Sequence, residues 1–142
     1  MELHKLMLWQ AAEQIRQRAL SPLELTRALL ERINAQDGAL NCFITLTPEL
    51  ALQQARRAEA EIARGAWRGP LHGIPLAFKD LFETAGVRTT AGSTFFADFT
   101  PEQDAAVVQR LFEAGAIMLG QLQAMQRACK EDEELVVLFR SG

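Results

Sequence analysis

The chain has 142 residues, of which 49% are hydrophobic and 23% are charged. A chain of this length can form a single domain with its own hydrophobic core, without disulfides or a bound metal. Its net charge of -3, from 15 Lys and Arg against 18 Asp and Glu, argues against nucleic-acid binding, which needs clustered positive charge to neutralise phosphates.

Two amphipathic helices are predicted at the start of the chain. Apolar residues between Leu8 and Ala19 follow the i, i+3, i+4, i+7 spacing of one helical face. Ser21 at an N-cap and Pro22 at the first helical position then start a second helix. We expect this helix to run to about Gln36, because the Asp37-Gly38 pair that follows favours a turn.

The next elements alternate between strand and helix. Residues 41–46 predict a short strand, and Thr47-Pro48-Glu49 repeats the cap-and-proline signal for a third helix that stops at Gly65. Residues 74–78 are apolar on both faces, which is typical of a buried strand, and Lys79 follows them. The chain between residues 65 and 92 is rich in glycine, and loops of this kind often carry function.

A fourth helix and a third strand complete the pattern. Thr100-Pro101 predicts the cap of a helix that ends at Gly115, and residues 116–119 predict a buried strand. The alternating order indicates an α/β fold with helices packed on a mixed sheet. We expect residues 1–120 to belong to one domain and to be an incomplete part of it. Residues 121–142, with the charge run from Lys130 and an apolar stretch from Leu135, read as a divergent tail, frameshifted or disordered.

Metal, disulfide and membrane signals are weak. Cys42 and Cys129 lie far apart, with no histidine or second cysteine at ligand spacing, so we expect neither a metal site nor a disulfide, and no spacing implies an organic cofactor. No apolar run approaches the roughly 18 residues that span a bilayer, and the N-terminal segment lacks a signal-peptide pattern. The sequence therefore predicts a soluble cytoplasmic protein without a membrane partner.

Lys79 is the first candidate for catalysis. A lysine at the end of an apolar strand is expected to be poorly solvated, which favours the neutral amine that can act as a base. The alternative is that Lys79 emerges into solvent, with Asp80 as a cap of the next turn. Residue spacing alone favours the second interpretation.

A longer pattern around Lys79 changes that balance. The stretch from Gly69 to Asp80, GPLHGIPLAFKD, resembles the opening motif of the amidase signature family. The resemblance continues through the Thr89-Thr90-Ala91-Gly92-Ser93 turn and through residues 111–120, and the Ser21-Pro22 helix start is also similar. The likeness covers most of residues 4–120, which are identified as the N-terminal part of such a fold.

The resemblance implies a hydrolase or amidotransferase acting on carbon–nitrogen bonds. In this family a lysine acts as base on a bridging serine in a cis peptide, which in turn deprotonates a serine nucleophile. Lys79 matches the lysine, and Ser93 lies in a segment that faces the substrate pocket in the family. The implied partner is a small amide substrate, and the runner-up function is the A subunit of a tRNA-dependent amidotransferase.

The sequence also departs from the family. Gln121-Leu122-Gln123 stands where a Lys-Thr-Asn segment is usual, and none of the three serines, Ser21, Ser93 and Ser141, lies in a Gly-Ser-Ser-Gly context. We therefore predict a truncated chain that has the base without the nucleophile, is inactive alone and self-associates through an exposed sheet edge. A non-catalytic module that binds small ligands, and a subunit completed by a second chain, remain as alternatives.

Other polar and aromatic residues receive structural predictions. His72 is expected to hydrogen-bond the backbone, and Cys42 to be a small buried residue. Trp9 and Trp67 are expected to pack in the core. The charged residues of the third helix, among them Arg57 and Glu61, are expected to form a solvated face. For Ser93, ordinary turn chemistry is favoured over a role as a substitute nucleophile.

Overall fold

A computed structural model describes residues 2–123 of the chain. Its elements follow the predicted order, which confirms the α/β class. The helices and strands are α1 (Leu8–Arg16), α2 (Pro22–Leu40), β1 (Phe43–Leu46), α3 (Pro48–Ala63), β2 (Pro75–Lys79), α4 (Ala106–Glu113) and β3 (Ile117–Leu122), with short 3-10 helices at Leu3–Lys5 and Thr94–Phe96. No helix within residues 2–123 has the length and apolar character needed to cross a membrane.

The three strands form a mixed sheet in the order β1-β3-β2. Strand β3 pairs antiparallel with β1 and parallel with β2, so it has a neighbour on each side. The exposed sheet edge expected for a truncated chain therefore does not lie at residues 116–119, because that strand is placed between the other two described strands. Gly120 lies close to the backbone of the neighbouring strand β1. A Cβ atom at this position would approach the Thr45 carbonyl oxygen to 2.4 Å.

Helices cover both faces of the sheet. Ile117 and Leu119 belong to a core cluster with residues of α1, α2 and α3, whereas Met118 belongs to a second cluster with Val108 of α4. This division follows from the strand geometry, because successive side chains point to opposite faces. Phe78, at the end of β2, lies in the second cluster.

The predicted start of helix α2 is confirmed, and its predicted end near Gln36 is wrong. The Ser21 hydroxyl accepts hydrogen bonds from the backbone N–H groups of Leu23 and Glu24, both at 3.1 Å. The helix continues past Asp37 to Leu40, and its C-cap, Asn41, has a left-handed φ of 51°. Asp37 acts as a cap from inside the helix, because its carboxylate accepts the N–H of Cys42 at 2.8 Å.

Helix α4 begins later than the predicted cap at Thr100-Pro101. It starts at Ala106, because residues 101–105 pair with the loop at residues 83–86. The Pro101 carbonyl accepts the Gly86 N–H at 3.0 Å, the Ala105 N–H donates to the Glu83 carbonyl at 2.8 Å, and the Asp104 carboxylate accepts the Ala85 N–H at 2.7 Å. Long-range loop pairing therefore replaces a local cap.

The boundary predicted at residue 120 falls inside β3. The strand continues through Gln121 and Leu122, and Gln121 is fully buried. The rest of the predicted tail, including the charge run, the apolar stretch from Leu135 and Cys129, lies outside the described residues.

Candidate active site at the end of strand β2

Lys79 is the last residue of β2, and its side chain is exposed. The Lys79 carbonyl accepts the N–H groups of Leu81 at 2.7 Å and Phe82 at 3.2 Å, so the chain turns immediately after the lysine. Among the described residues the expectation of a poorly solvated ammonium group is wrong, since β2 is an outer strand of the three described and ends at this turn. Within residues 2–123, no hydrogen bond or ion pair engages the Lys79 ammonium group.

Asp80, the next residue, is fully buried and holds the loop that carries Ser93. One carboxylate oxygen accepts the Thr90 N–H at 2.8 Å, and the other accepts the Thr90 hydroxyl in a short hydrogen bond. The backbone of Asp80 is also fixed, because its N–H donates to the Leu122 carbonyl at 2.8 Å. The Asp80 carboxylate therefore binds Thr90, ten residues along the chain, and not the next turn that one interpretation of the sequence expected it to cap.

Gln121 supplies a further neutral donor to Asp80. In the amide orientation that satisfies both ends of the side chain, its nitrogen donates to the Asp80 carboxylate at 3.1 Å and to the Arg88 carbonyl. Its oxygen accepts the Thr89 hydroxyl at 3.1 Å. The buried carboxylate is thus satisfied by amide and hydroxyl groups, and no cation within residues 2–123 pairs with it.

Ser93 lies in the loop that Asp80 anchors. Its N–H donates to the Thr90 carbonyl at 2.9 Å, and its hydroxyl accepts the Phe95 N–H at 3.2 Å as the cap of the short 3-10 helix. Ala91, at a φ of 51°, and Gly92, at 71°, form the left-handed turn before it. The Asp80 anchor thereby joins the segments of Lys79 and Ser93, although no direct contact between those two side chains is found in residues 2–123.

A second polar cluster precedes β2, around His72. The side chain is fully buried; Nδ1 accepts the Arg68 N–H at 3.1 Å, which confirms the predicted bond to the backbone. Nε2 therefore carries the proton and donates to the Glu61 carboxylate at 3.1 Å. Both ring nitrogens are engaged, so this histidine offers no base to a substrate.

Glu61 is the residue that sequence reasoning missed. It lies on the face of α3 that was expected to be solvated, yet it is only 9% exposed and binds Arg57, Arg68 and His72. Burial by itself raises the pKa of the Glu61 carboxyl, but hydrogen bonds from Arg57 and Arg68 outweigh it and lower the pKa below its ordinary value. Burial, helped by the Arg68 charge, lowers the pKa of His72.

Of the remaining packing predictions, two are confirmed and one is wrong. Cys42 is buried, at 2% exposed, and Trp67 packs against the larger core cluster, as expected. The prediction for Trp9 is wrong. Its side chain is 65% exposed at the start of α1, because only the face of that helix with Ala11, Ala12 and Ile15 packs against the core. Among residues 2–123, no group of three or more His, Cys, Asp or Glu side chains could hold a metal ion.

Comparison with known proteins assigns this arrangement to a family. The amidase family model matches residues 24–133. The A subunit of the glutamyl-tRNA(Gln) amidotransferase of Methylococcus capsulatus is 47% identical over 132 residues, which cover 93% of this chain and 27% of that subunit. The putative amidase AmiD of Mycobacterium tuberculosis is 45% identical over 124 residues, covering 87% of this chain and 26% of that protein.

A solved structure shows the same fold. The native peptide amidase of Stenotrophomonas maltophilia superimposes with a TM-score of 0.76 at 39% identity, over 81% of this chain and 24% of that enzyme. The chain spans about a quarter of the length of the curated relatives it matches. The sequence match, the shared fold and the motif that ends in Lys79 agree, and the chain belongs to the amidase family.

Proposed function

We propose that this chain is the lysine-bearing N-terminal part of a Ser-cisSer-Lys amidase that hydrolyses carbon–nitrogen bonds of small amides. The observation that carries the proposal is Lys79 itself, exposed at the end of β2 on a backbone that the buried Asp80 fixes. A cationic or neutral amine held in this way can exchange a proton with a group that approaches from solvent.

Lys79 acts in the proposed reaction as the base. Its neutral amine accepts the proton of a bridging serine, whose oxygen in turn accepts the proton of the nucleophilic serine as that serine attacks the amide carbonyl carbon. The proton then passes to the leaving nitrogen as the carbon–nitrogen bond breaks, and water, deprotonated by the same relay, cleaves the acyl-serine to release the acid and restore the serine hydroxyl. Backbone N–H groups stabilise the oxyanion of the tetrahedral intermediate.

The two serines of this reaction come from outside residues 2–123. Ser21 caps α2 and donates a short hydrogen bond to Glu59, and Ser93 caps the 3-10 helix. We assign Ser93 instead to the substrate-facing loop, where its hydroxyl proton can be donated to a bound amide. Residues 2–123 accordingly supply the base and not the nucleophile, and we expect the amide substrate to bind only when the site is completed.

A chimeric enzyme tests the proposal. Residues 1–123 replace the matching segment of the Stenotrophomonas peptide amidase, and the hydrolysis of a peptide amide is measured. We expect an active chimera in which Lys79→Ala lowers kcat/KM by about 10³-fold, because general-base catalysis typically contributes 10²- to 10⁴-fold. Lys5→Ala, an exposed lysine of the N-terminal 3-10 helix, is the matched control. A chimera whose activity survives Lys79→Ala would refute the proposal.

The second candidate function is the A subunit of a glutamine-dependent tRNA amidotransferase. The specific observation in its favour is the 47% identity with the Methylococcus subunit over 132 residues. Replacing the matching segment of the Methylococcus subunit with residues 1–123 distinguishes the two candidate functions. Support for ammonia transfer to glutamyl-tRNA, without hydrolysis of free amides, would favour the amidotransferase.

Location and association belong to the same proposal. We place the protein in the cytoplasm, where a buried thiol such as Cys42 stays reduced. Self-association through the sheet would use β1 or β2, the outer strands of the three that are described. Sedimentation of the chain over a range of concentrations tests that prediction.

A further inference from the structure

Helix α3, the loop before β2 and the end of α4 border an open cavity of about 200 Å³, which we call the α3 cavity. Its lining combines the polar side chains of Gln54, Arg57 and Arg68 with the apolar side chains of Ala58 and Phe112. A single water molecule needs only about 10–15 Å³, so the α3 cavity has room for a small organic molecule.

The acceptors that line the α3 cavity are already occupied. One carboxylate oxygen of Glu61 accepts hydrogen bonds from Arg57 at 2.9 Å and Arg68 at 2.7 Å, and the other accepts the His72 Nε2 proton at 3.1 Å. The Gln54 amide oxygen accepts a backbone N–H of β3 at 2.8 Å. A ligand rich in donors would therefore compete with bonds that the fold already makes.

Donors of the same lining residues are still available. Arg57 uses its Nε for Glu61, and within residues 2–123 no hydrogen bond engages its two terminal nitrogens. The amide nitrogen of Gln54 also has no hydrogen bond to the part of the chain that the structure describes. Because the terminal nitrogens of a guanidinium form a planar fork that matches two carboxylate oxygens, these donors suit an oxyanion.

The charge around the α3 cavity also favours an anion. Among its lining residues, the two arginines face one carboxylate, Glu61, whose lowered pKa keeps it ionised at neutral pH. His72 is neutral there, because burial lowers its pKa. The Glu113 carboxylate accepts the Gln109 side chain at 3.1 Å, and only the Glu113 carbonyl accepts Arg68. One positive charge is left in excess, which a monoanion would balance.

We infer that the α3 cavity binds a small organic carboxylate, whose oxygens pair with Arg57 and whose apolar body lies against Ala58 and Phe112. The available donors and the excess positive charge select an oxyanion, and the apolar lining favours a hydrocarbon or aromatic body over inorganic phosphate. Strand β2 lies between His72, at this cavity, and Lys79, so the inference does not depend on the proposed function.

Isothermal titration calorimetry of the 142-residue chain with sodium benzoate at neutral pH tests the inference. We expect a Kd of about 1 mM, an ordinary affinity for a ligand of this size. Arg57→Gln should weaken binding at least about tenfold, because charge-assisted hydrogen bonds to the carboxylate are lost. The matched control is Arg56→Gln, at the neighbouring exposed arginine of α3 that is not among the residues lining the cavity. It should change the Kd less than about twofold, because solvent and salt screen its charge.

Gln54→Glu gives a second variant that keeps the shape of the lining. The new carboxylate still accepts the β3 N–H but replaces an available donor with a negative charge, so benzoate should bind at least about tenfold more weakly. Benzamide, which has the shape of benzoate without its charge, should also bind the wild-type chain at least about tenfold more weakly. Circular dichroism verifies that the variants fold, and Lys79→Ala should bind benzoate like the wild type.

Four outcomes would overturn the inference. They are the absence of benzoate binding at about ten times the expected Kd, binding that survives both Arg57→Gln and Gln54→Glu, equal binding of benzamide, and tighter binding of inorganic phosphate. Loss of benzoate binding in Lys79→Ala would place the ligand at the candidate active site and would also refute the inference. An inactive peptide amidase chimera counts against the proposed function and leaves the α3 cavity standing.

Discussion

Two buried polar residues bracket strand β2, His72 before it and Asp80 after it, and they serve different ends. His72 bonds to charged and backbone groups, Glu61 and the Arg68 N–H, and ties α3 to the loop that enters the strand. Asp80 bonds to neutral donors on a loop that presents exposed side chains. The His72 cluster thus joins two parts of the fold to each other. The second fixes the loop that follows the exposed Lys79.

The largest expected effect is the loss of the Asp80 anchor. Asp80→Ala leaves the Thr90 N–H and hydroxyl and the Gln121 amide without their acceptor in a buried site. We expect the free energy of unfolding to fall by about 3 kcal/mol, because each unsatisfied buried donor costs about 1–3 kcal/mol. Denaturant unfolding of the 142-residue chain measures it. Asp98→Ala, in the exposed part of the same loop, should cost less than about 0.5 kcal/mol. Equal losses would show that Asp80 anchors nothing.

A glycine pair tests how tightly the His72 side is packed. Gly115 and Gly65 share a φ of +84°, but a Cβ atom at Gly115 would lie 2.3 Å from the His72 ring, whereas one at Gly65 meets nothing within 4 Å. Gly65→Ala should cost about 1 kcal/mol from backbone strain alone, and Gly115→Ala about 2 kcal/mol more. Thermal unfolding compares them. If the two variants have the same unfolding temperature, the His72 ring can move aside and the packing around it is less tight than the geometry indicates.

Lowering the pH should reduce the free energy of unfolding in two stages, through His72 and then through Glu61. The folded pKa of His72 is lowered, so the unfolded chain binds its proton first, and stability is lost as pH falls below the unfolded value of about 6.5. The lowered pKa of Glu61 adds a second loss below about 4.3. We therefore expect the free energy of unfolding to be lower at pH 5.5 than at pH 7.5. His72→Gln should flatten this slope and His4→Gln should retain it; a slope that survives His72→Gln would assign the effect elsewhere.

The smallest expected effect is at Ser93. Its hydroxyl accepts one backbone N–H of a three-residue helix, so Ser93→Ala should change the free energy of unfolding by about 0.5 kcal/mol. In the peptide amidase chimera the same change should raise KM by about threefold to tenfold and leave kcat nearly unchanged, because the residue is proposed to bind and not to transfer protons. A fall in kcat comparable with that of Lys79→Ala would instead place Ser93 in the chemistry.

Local sequence signals determined most of the elements and the family. Ser21 and Pro22 set the start of α2, and Gly65 and Gly115 the ends of α3 and α4, because caps and left-handed positions depend on a few neighbouring residues. The motif that ends in Lys79-Asp80 was sufficient to suggest an amidase. The catalytic roles of Lys79 and Ser93 remain predictions.

The tertiary structure decided what each polar residue does. Nothing in the spacing of Glu61 and His72, or of Asp80, Thr90 and Gln121, shows that they meet, because their contacts form between elements that are distant in the chain. The same holds for the delayed start of α4, where pairing with residues 83–86 replaces the local cap at Thr100, and for β3, which becomes the central strand of the three described. Local chemistry sets most of the helix caps and turns, whereas burial and long-range hydrogen bonds decide where α4 starts and which side chains contact one another.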